Sequence, residues 1–157
     1  MTTYFDSSVL VASCVQEPRS RQARKALSAV VSAPFTPLLD LEVRTALRRM
    51  AGSGRLTSSE SASVLSLVDD DIAAGRLWKV PLDLYATVER AESLSARHAQ
   101  RFLSRSLDLL HVAAALELGC ASFVTLDTRQ ARLAVASGLK TPDLTLKKPS
   151  SRRGNRS

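Results

Sequence analysis

Short β-favouring runs take turns with helix-period segments along this chain, and that alternation limits the folds open to it. Thr2, Thr3, Tyr4 and Phe5 read as a strand that ends at Asp6. Asp6 or Ser7 caps a short helix to Val15, and Glu17 and Pro18 end it. Residues 19–32 form a second helix, with Ala23, Ala26, Leu27, Val30 and Val31 on one face. Residues 33–37, bounded by prolines, are too short for a helix and read as a brief strand. A helix over 38–50 follows. Thr57-Ser58-Ser59-Glu60 is a capping-box pattern for another that ends near Gly75. Residues 77–80 are a strand closed by Pro81, 84–97 a helix, and 98–105 a basic connection. Ser106 caps an apolar helix over 107–118, 121–126 form a buried-type strand ending at Asp127, 128–136 the next helix, and 142–146 one last strand. Strands separated by helices pair through crossovers, so the expectation is an α/β fold with a parallel sheet covered on both faces.

A length of 157 residues suits one domain, over 1–146, followed by a basic, disordered tail over 147–157. The tail contributes Lys147, Lys148, Arg152, Arg153 and Arg156 to a net charge of +7, which leaves +2 for the body. It reads either as a solvated end or as a non-specific attractor of phosphate backbones. Every apolar run is broken well short of the roughly 18 residues a membrane span needs. Asp6 interrupts the N-terminus where an export signal would be apolar. Cys14 and Cys120 have no metal-site spacing and suit buried thiols in a reducing cytoplasm.

In open parallel sheets, ligands bind outside the carboxyl ends of the strands, where Asp6 and Asp127 stand. A turn or a helix cap explains either one alone. Asp108 opens an apolar helix, where the dipole favours it but burial demands a partner. Glu42 edges the stripe Leu39, Val43, Ala46, Leu47 and Met50, where an ion pair with Arg49 would account for it. Together the four are harder to dismiss, because two lie at strand ends and two in first turns of helices that begin near the same edge. Carboxylates roughly 4 Å apart repel by about 4 kcal/mol per pair at an effective dielectric near 20. Such a cluster calls for a cation, and oxygen ligands without His or Cys suit Mg²⁺ or Mn²⁺ better than zinc. Crowding of this kind also implies raised carboxyl pKa values, and a metal-free protein that loses stability as pH rises from about 4.

The segments YFDSSVLV around Asp6, LLDLEVRTALRR around Glu42, SLDLLHVAAALELG around Asp108 and FVTLDTRQARLA around Asp127 resemble, in order and spacing, the four acidic motifs of PIN-domain nucleases. The resemblance covers residues 2–146, and the short single domain is most similar to the VapC-type ribonuclease toxins of toxin–antitoxin pairs. It implies a three-layer α/β/α fold with a central parallel sheet of four or five strands. It also implies a metal-dependent endoribonuclease in which Asp6, Glu42, Asp108 and Asp127 are catalytic and hold one or two Mg²⁺ or Mn²⁺ ions. The implied products carry 5′-phosphate and 3′-hydroxyl ends, from structured RNA such as a tRNA or an rRNA loop. Implied partners are a VapB-type antitoxin, which inserts a basic side chain among the acids, and a second copy of the chain.

Ser7 and Thr125 are candidates to orient a carboxylate or a water. His111, one helical turn after Asp108, reads as a packed or hydrogen-bonded structural histidine, and His98 as surface. Arginine outnumbers lysine 17 to 5, so phosphate contacts fall to arginine: Arg44, Arg48 and Arg49 near Glu42, and Arg97, Arg101 and Arg105 before Asp108. Rival chemistries lack their parts. A phosphoaspartyl hydrolase needs a second acid two residues after the first, where this chain has Ser8, and no glycine-rich phosphate loop follows any strand. An RNA-processing nuclease without an antitoxin, and a degenerate non-catalytic PIN module, are the other readings.

Overall fold

The computed structural model describes residues 1–142 and Leu144. In chain order the elements are β1 (Thr3–Phe5), α1 (Ser7–Cys14), α2 (Ser20–Ser28), β2 (Ala33–Phe35), α3 (Pro37–Gly52), α4 (Ser58–Ala73), β3 (Leu77–Lys79), α5 (Leu84–Phe102), α6 (Ser106–Glu117), β4 (Ser122–Val124) and α7 (Thr128–Ala136). Among the described residues all the strand pairing is parallel, β1 with β4 and β2 with β3. Tyr4 and Phe5, residues 33–35, and Phe123 and Val124 are each buried at successive positions. Successive burial means that both faces of a strand are covered. One helical cluster joins α1 to α2, α3 and α4, and the other joins α5, α6 and α7. The fold is α/β, as the alternation requires. None of its described helices is long and apolar enough to cross a membrane.

The continuous sheet of four or five strands is not formed among the described residues; two separate two-stranded ladders stand in its place. Pro34 supplies a reason. Ala33 donates to the Arg76 carbonyl at 2.9 Å and Phe35 accepts from Val80 at 3.3 Å, so both face β3. The residue between them faces the other way, toward the neighbouring β1, and proline has no N–H to offer there. A further position beside β4 comes from Lys140, whose carbonyl accepts from Phe123 at 2.8 Å. The strand read at 142–146 lies mostly outside the described residues, as do the boundary at 146 and the tail over 147–157.

Local capping follows the sequence except at α6, where Arg105 and not Ser106 is the N-cap and its N–H donates to Asp108. Thr36 accepts from Leu39 N ahead of Pro37, Thr57 and Glu60 close the capping box, and Asp83 and Asp127 cap α5 and α7. Two boundaries differ from the sequence reading by more than two residues. Helix α2 stops at Ser28 rather than 32, leaving Val31 exposed. Helix α5 runs through the supposed basic connection to Phe102, because Ala91, Leu94, His98 and Phe102 continue a helix-spaced inner row. It ends on Leu103 in the left-handed region, at φ 52°. Cys14 and Cys120 are free thiols, and burial pushes the Cys120 thiol up to about 11.

Candidate metal centre

Strand β1 delivers Asp6 to the carboxyl edge of the sheet, where the chain turns from extended backbone into α1. Its own N–H donates to the Val124 carbonyl at 2.9 Å, so the residue is pinned to β4. Asp6 Oδ2 accepts from Ser8 Oγ at 2.6 Å, Ser8 N at 3.1 Å and Thr125 Oγ1 at 3.2 Å. Oδ1 has a single amide contact, from Gln130 Nε2 at 3.3 Å. The one proton of Thr125 has a nearer acceptor in Gln130 Oε1 at 2.7 Å, so the hydroxyl divides its service between Gln130 and Asp6. These donors fix the orientation of a buried carboxylate.

Glu42 arrives from the second turn of α3 and meets His111, which α6 carries into the core. Tyr4 Oη lies 2.9 Å from His111 Nδ1, and His111 Nε2 is hydrogen-bonded to Glu42 Oε2. Burial pushes the Tyr4 phenol far above its ordinary range, so it stays protonated and can donate. The network thereby assigns a direction: Tyr4 O–H donates to Nδ1, and Nε2–H donates to Glu42. Burial alone would raise the Glu42 carboxyl, but hydrogen bonds from His111 and the Ser7 hydroxyl bring it below its ordinary value of 4.5. Glu42 is therefore held ionised, with Oε2 committed to His111.

Ligand atoms of Asp6, Glu42 and His111 lie within 4.8 Å of one another. Both imidazole nitrogens already have partners, which leaves the carboxylate oxygens as the donors on offer. At such spacing two ionised carboxylates repel by roughly 3 kcal/mol at an effective dielectric near 20. Hard oxygen donors, one of them on the partly exposed Glu42, fit Mg²⁺ or Mn²⁺. Mg²⁺ is commonly held by one or two carboxylates and keeps its remaining positions for water or phosphate oxygens.

The other two acids are elsewhere engaged. Asp108 Oδ2 accepts from Arg105 N at 2.9 Å at the start of α6. Asp127 Oδ1 accepts from Arg129 N at 2.7 Å and Gln130 N at 3.1 Å, and Oδ2 is 3.6 Å from the Arg129 guanidinium. Asp127 still reaches Asp6 indirectly, because its N–H donates to Thr125 Oγ1 at 3.0 Å. Among the arginines, Arg44 is taken by Asp40 at 2.5 Å and Asp69 at 2.7 Å, so its guanidinium ties α3 to α4 instead of facing solvent. Arg48, Arg49, Arg97, Arg101 and Arg105 are exposed. Arg49 borders a cavity of about 530 Å³ beside Glu42. Tyr4, Ser8 and Gln130 were absent from the sequence-derived site. Ser8, two residues after Asp6, has the spacing of a helix cap, whereas no spacing ties Gln130 to Asp6, 124 positions away.

Parallel strands packed with helices, and a strand-end carboxylate facing one from a helix, define an α/β protein with an acidic centre at the sheet edge. The sequence matches the PIN domain family over residues 3–136, and the chain belongs to that family. The crystal structure of FitAcB from Neisseria gonorrhoeae is similar in fold, with a TM-score of 0.62 at 14% sequence identity, covering 91% of this chain and 98% of that one. No curated protein matches the sequence significantly.

Proposed function

We propose that this chain is a metal-dependent endoribonuclease, the toxin of a type II toxin–antitoxin pair, acting in the cytoplasm on tRNA or rRNA. The observation that carries this reading is the convergence of Asp6 and Glu42 at the sheet edge of a PIN domain. Asp6 and Glu42 hold the divalent ion, Mg²⁺ or Mn²⁺, and Asp108 and Asp127 complete the acidic set. When bound, the ion supplies Lewis-acid polarisation of the phosphodiester and acidification of water. Ser8, Thr125 and Gln130 orient Asp6, while His111 and Ser7 keep Glu42 ionised. Exposed Arg48, Arg49, Arg101 and Arg105 attract the phosphate backbone.

The groove beside Glu42 supports an antitoxin partner. Leu38, Leu41 and Leu107 line it together with Glu17 and Glu42, a surface suited to a segment that mixes apolar and basic side chains. Leu84, Tyr85 and Val88 form an exposed apolar patch on α5, which supports a homodimer. The helix-capping roles of Asp108 and Asp127 favour a competing reading, a non-catalytic PIN module. Controlled expression separates the two. The toxin reading expects growth arrest and new RNA 5′-phosphate ends from the wild type, and neither from Asp6→Asn at equal soluble level. Normal growth with intact RNA under strong induction would favour the module.

A further inference from the structure

A second cavity, of about 660 Å³, opens at the carboxyl end of β4, lined in part by Thr125, which also bonds Asp6. Its size lies within the roughly 300–1,000 Å³ typical of pockets for small organic ligands. Three guanidinium groups border it from separate parts of the chain: Arg19 before α2, Arg101 at the end of α5, and Arg132 on α7. Asp127 is the one acid among the described lining residues. Arg19 is anchored by Nη1 on the Leu126 carbonyl at 2.7 Å. Arg101 lies 5.1 Å from the centre of the Phe102 ring, a flat cation–aromatic pair at the rim.

Both Arg19 Nε and Thr141 Oγ1 are buried without a partner among the described residues, so the lining keeps hydrogen-bonding capacity that the described chain does not use. A ligand suited to this place is anionic, rich in acceptors and partly flat. We propose that the cavity seats the nucleotide adjoining the cleaved phosphate, its base against Phe102 and Val135 and its phosphate among Arg19, Arg101 and Arg132. The proposal rests on the RNA-cleaving reading, and adds that this cavity sets the base preference next to the cut.

Val135 is 59% exposed on α7, so Val135→Trp adds bulk at the cavity with little demand on the core. The test titrates full-length wild type, Val135→Trp, Arg101→Ala and Arg21→Ala, which lies outside the cavity lining, with fluorescent pentaribonucleotides of varied base, in EDTA. Product ends from cleavage in Mn²⁺ are then sequenced. Filling the base site with Val135→Trp, or removing one phosphate partner with Arg101→Ala, is expected to weaken binding about tenfold. Arg21→Ala should bind like the wild type, and Val135→Trp should also flatten the base preference beside the cut. Val135→Trp binding and cutting like the wild type would overturn the proposal. So would a chain ended after Leu144 that binds RNA tenfold more tightly, since the cavity would then hold the chain's own end. Binding in EDTA reports on the cavity and cleavage in Mn²⁺ on the acidic site, so either reading can fail without the other.

Discussion

Glu42 owes its charge state to neighbours other than the four acids. Tyr4 fixes the face of His111, and His111 commits its remaining nitrogen to Glu42. Tyr4→Phe strands a buried nitrogen, and an unsatisfied buried polar group costs about 1–3 kcal/mol. Urea unfolding should show a loss in that range. His111→Leu should weaken Mn²⁺ binding about tenfold, as happens when a group supporting a metal ligand is removed. Calorimetry finding an unchanged Mn²⁺ affinity would show that Glu42 needs no such support. The pH dependence is also set here, and it runs against the expectation from crowded acids. Because the folded-state pKa of Glu42 lies below its ordinary 4.5, its stabilising contribution is complete above about that pH and is lost as pH falls through the folded value. Denaturation in chelator between pH 6 and 3 should therefore show acid destabilisation in the wild type. Glu42→Gln should lack that component, and two identical profiles would contradict the assignment.

The helix ends join structure to chemistry. Asp127 caps α7 through two backbone N–H groups, and asparagine can make the same bonds. Asp127→Ala should cost about 1 kcal/mol, and Asp127→Asn much less. If Asp127 also serves the acidic set, both variants lose cleavage whatever their melting temperatures; full cleavage by Asp127→Asn would reduce it to a cap. Caps are legible in the sequence because they depend on neighbours: Thr57 and Glu60 are three residues apart, and Asp127 directly precedes its helix. The full length of α5 is not, because Arg97, His98, Gln100 and Arg101 look like a polar connection, although one side of that stretch packs inward. The break between the ladders is hidden for a related reason. Pro34 is visible, but which neighbour its missing N–H would face depends on a pairing the sequence does not state. Asp6 and Glu42 can be found through their motifs, whereas Tyr4 and His111 meet only because β1 and α6 pack together, 107 positions apart in sequence.

At the scale of the whole chain, the basic C-terminal run is separate in sequence from the four acids. Residues 147–157 carry five basic side chains and no acid, so cleavage by a chain lacking them should persist while RNA binding weakens. The slope of log affinity against log salt should become shallower, by roughly 0.7 for each phosphate of single-stranded RNA that is no longer neutralised. An unchanged slope would make the tail a solvated end. The acidic centre itself is tested most directly by single-turnover cleavage of one defined RNA as Mn²⁺ is raised from chelated zero, for the wild type, Asp6→Asn and Glu42→Gln, each shown folded by its melting curve. The account predicts no cleavage in chelator, a saturable rise for the wild type, and rates lower by at least about a hundredfold in both variants, of the order of the loss when a directly stabilising group is removed. Cleavage that persists in chelator, or that either variant carries out at the wild-type rate, would contradict it.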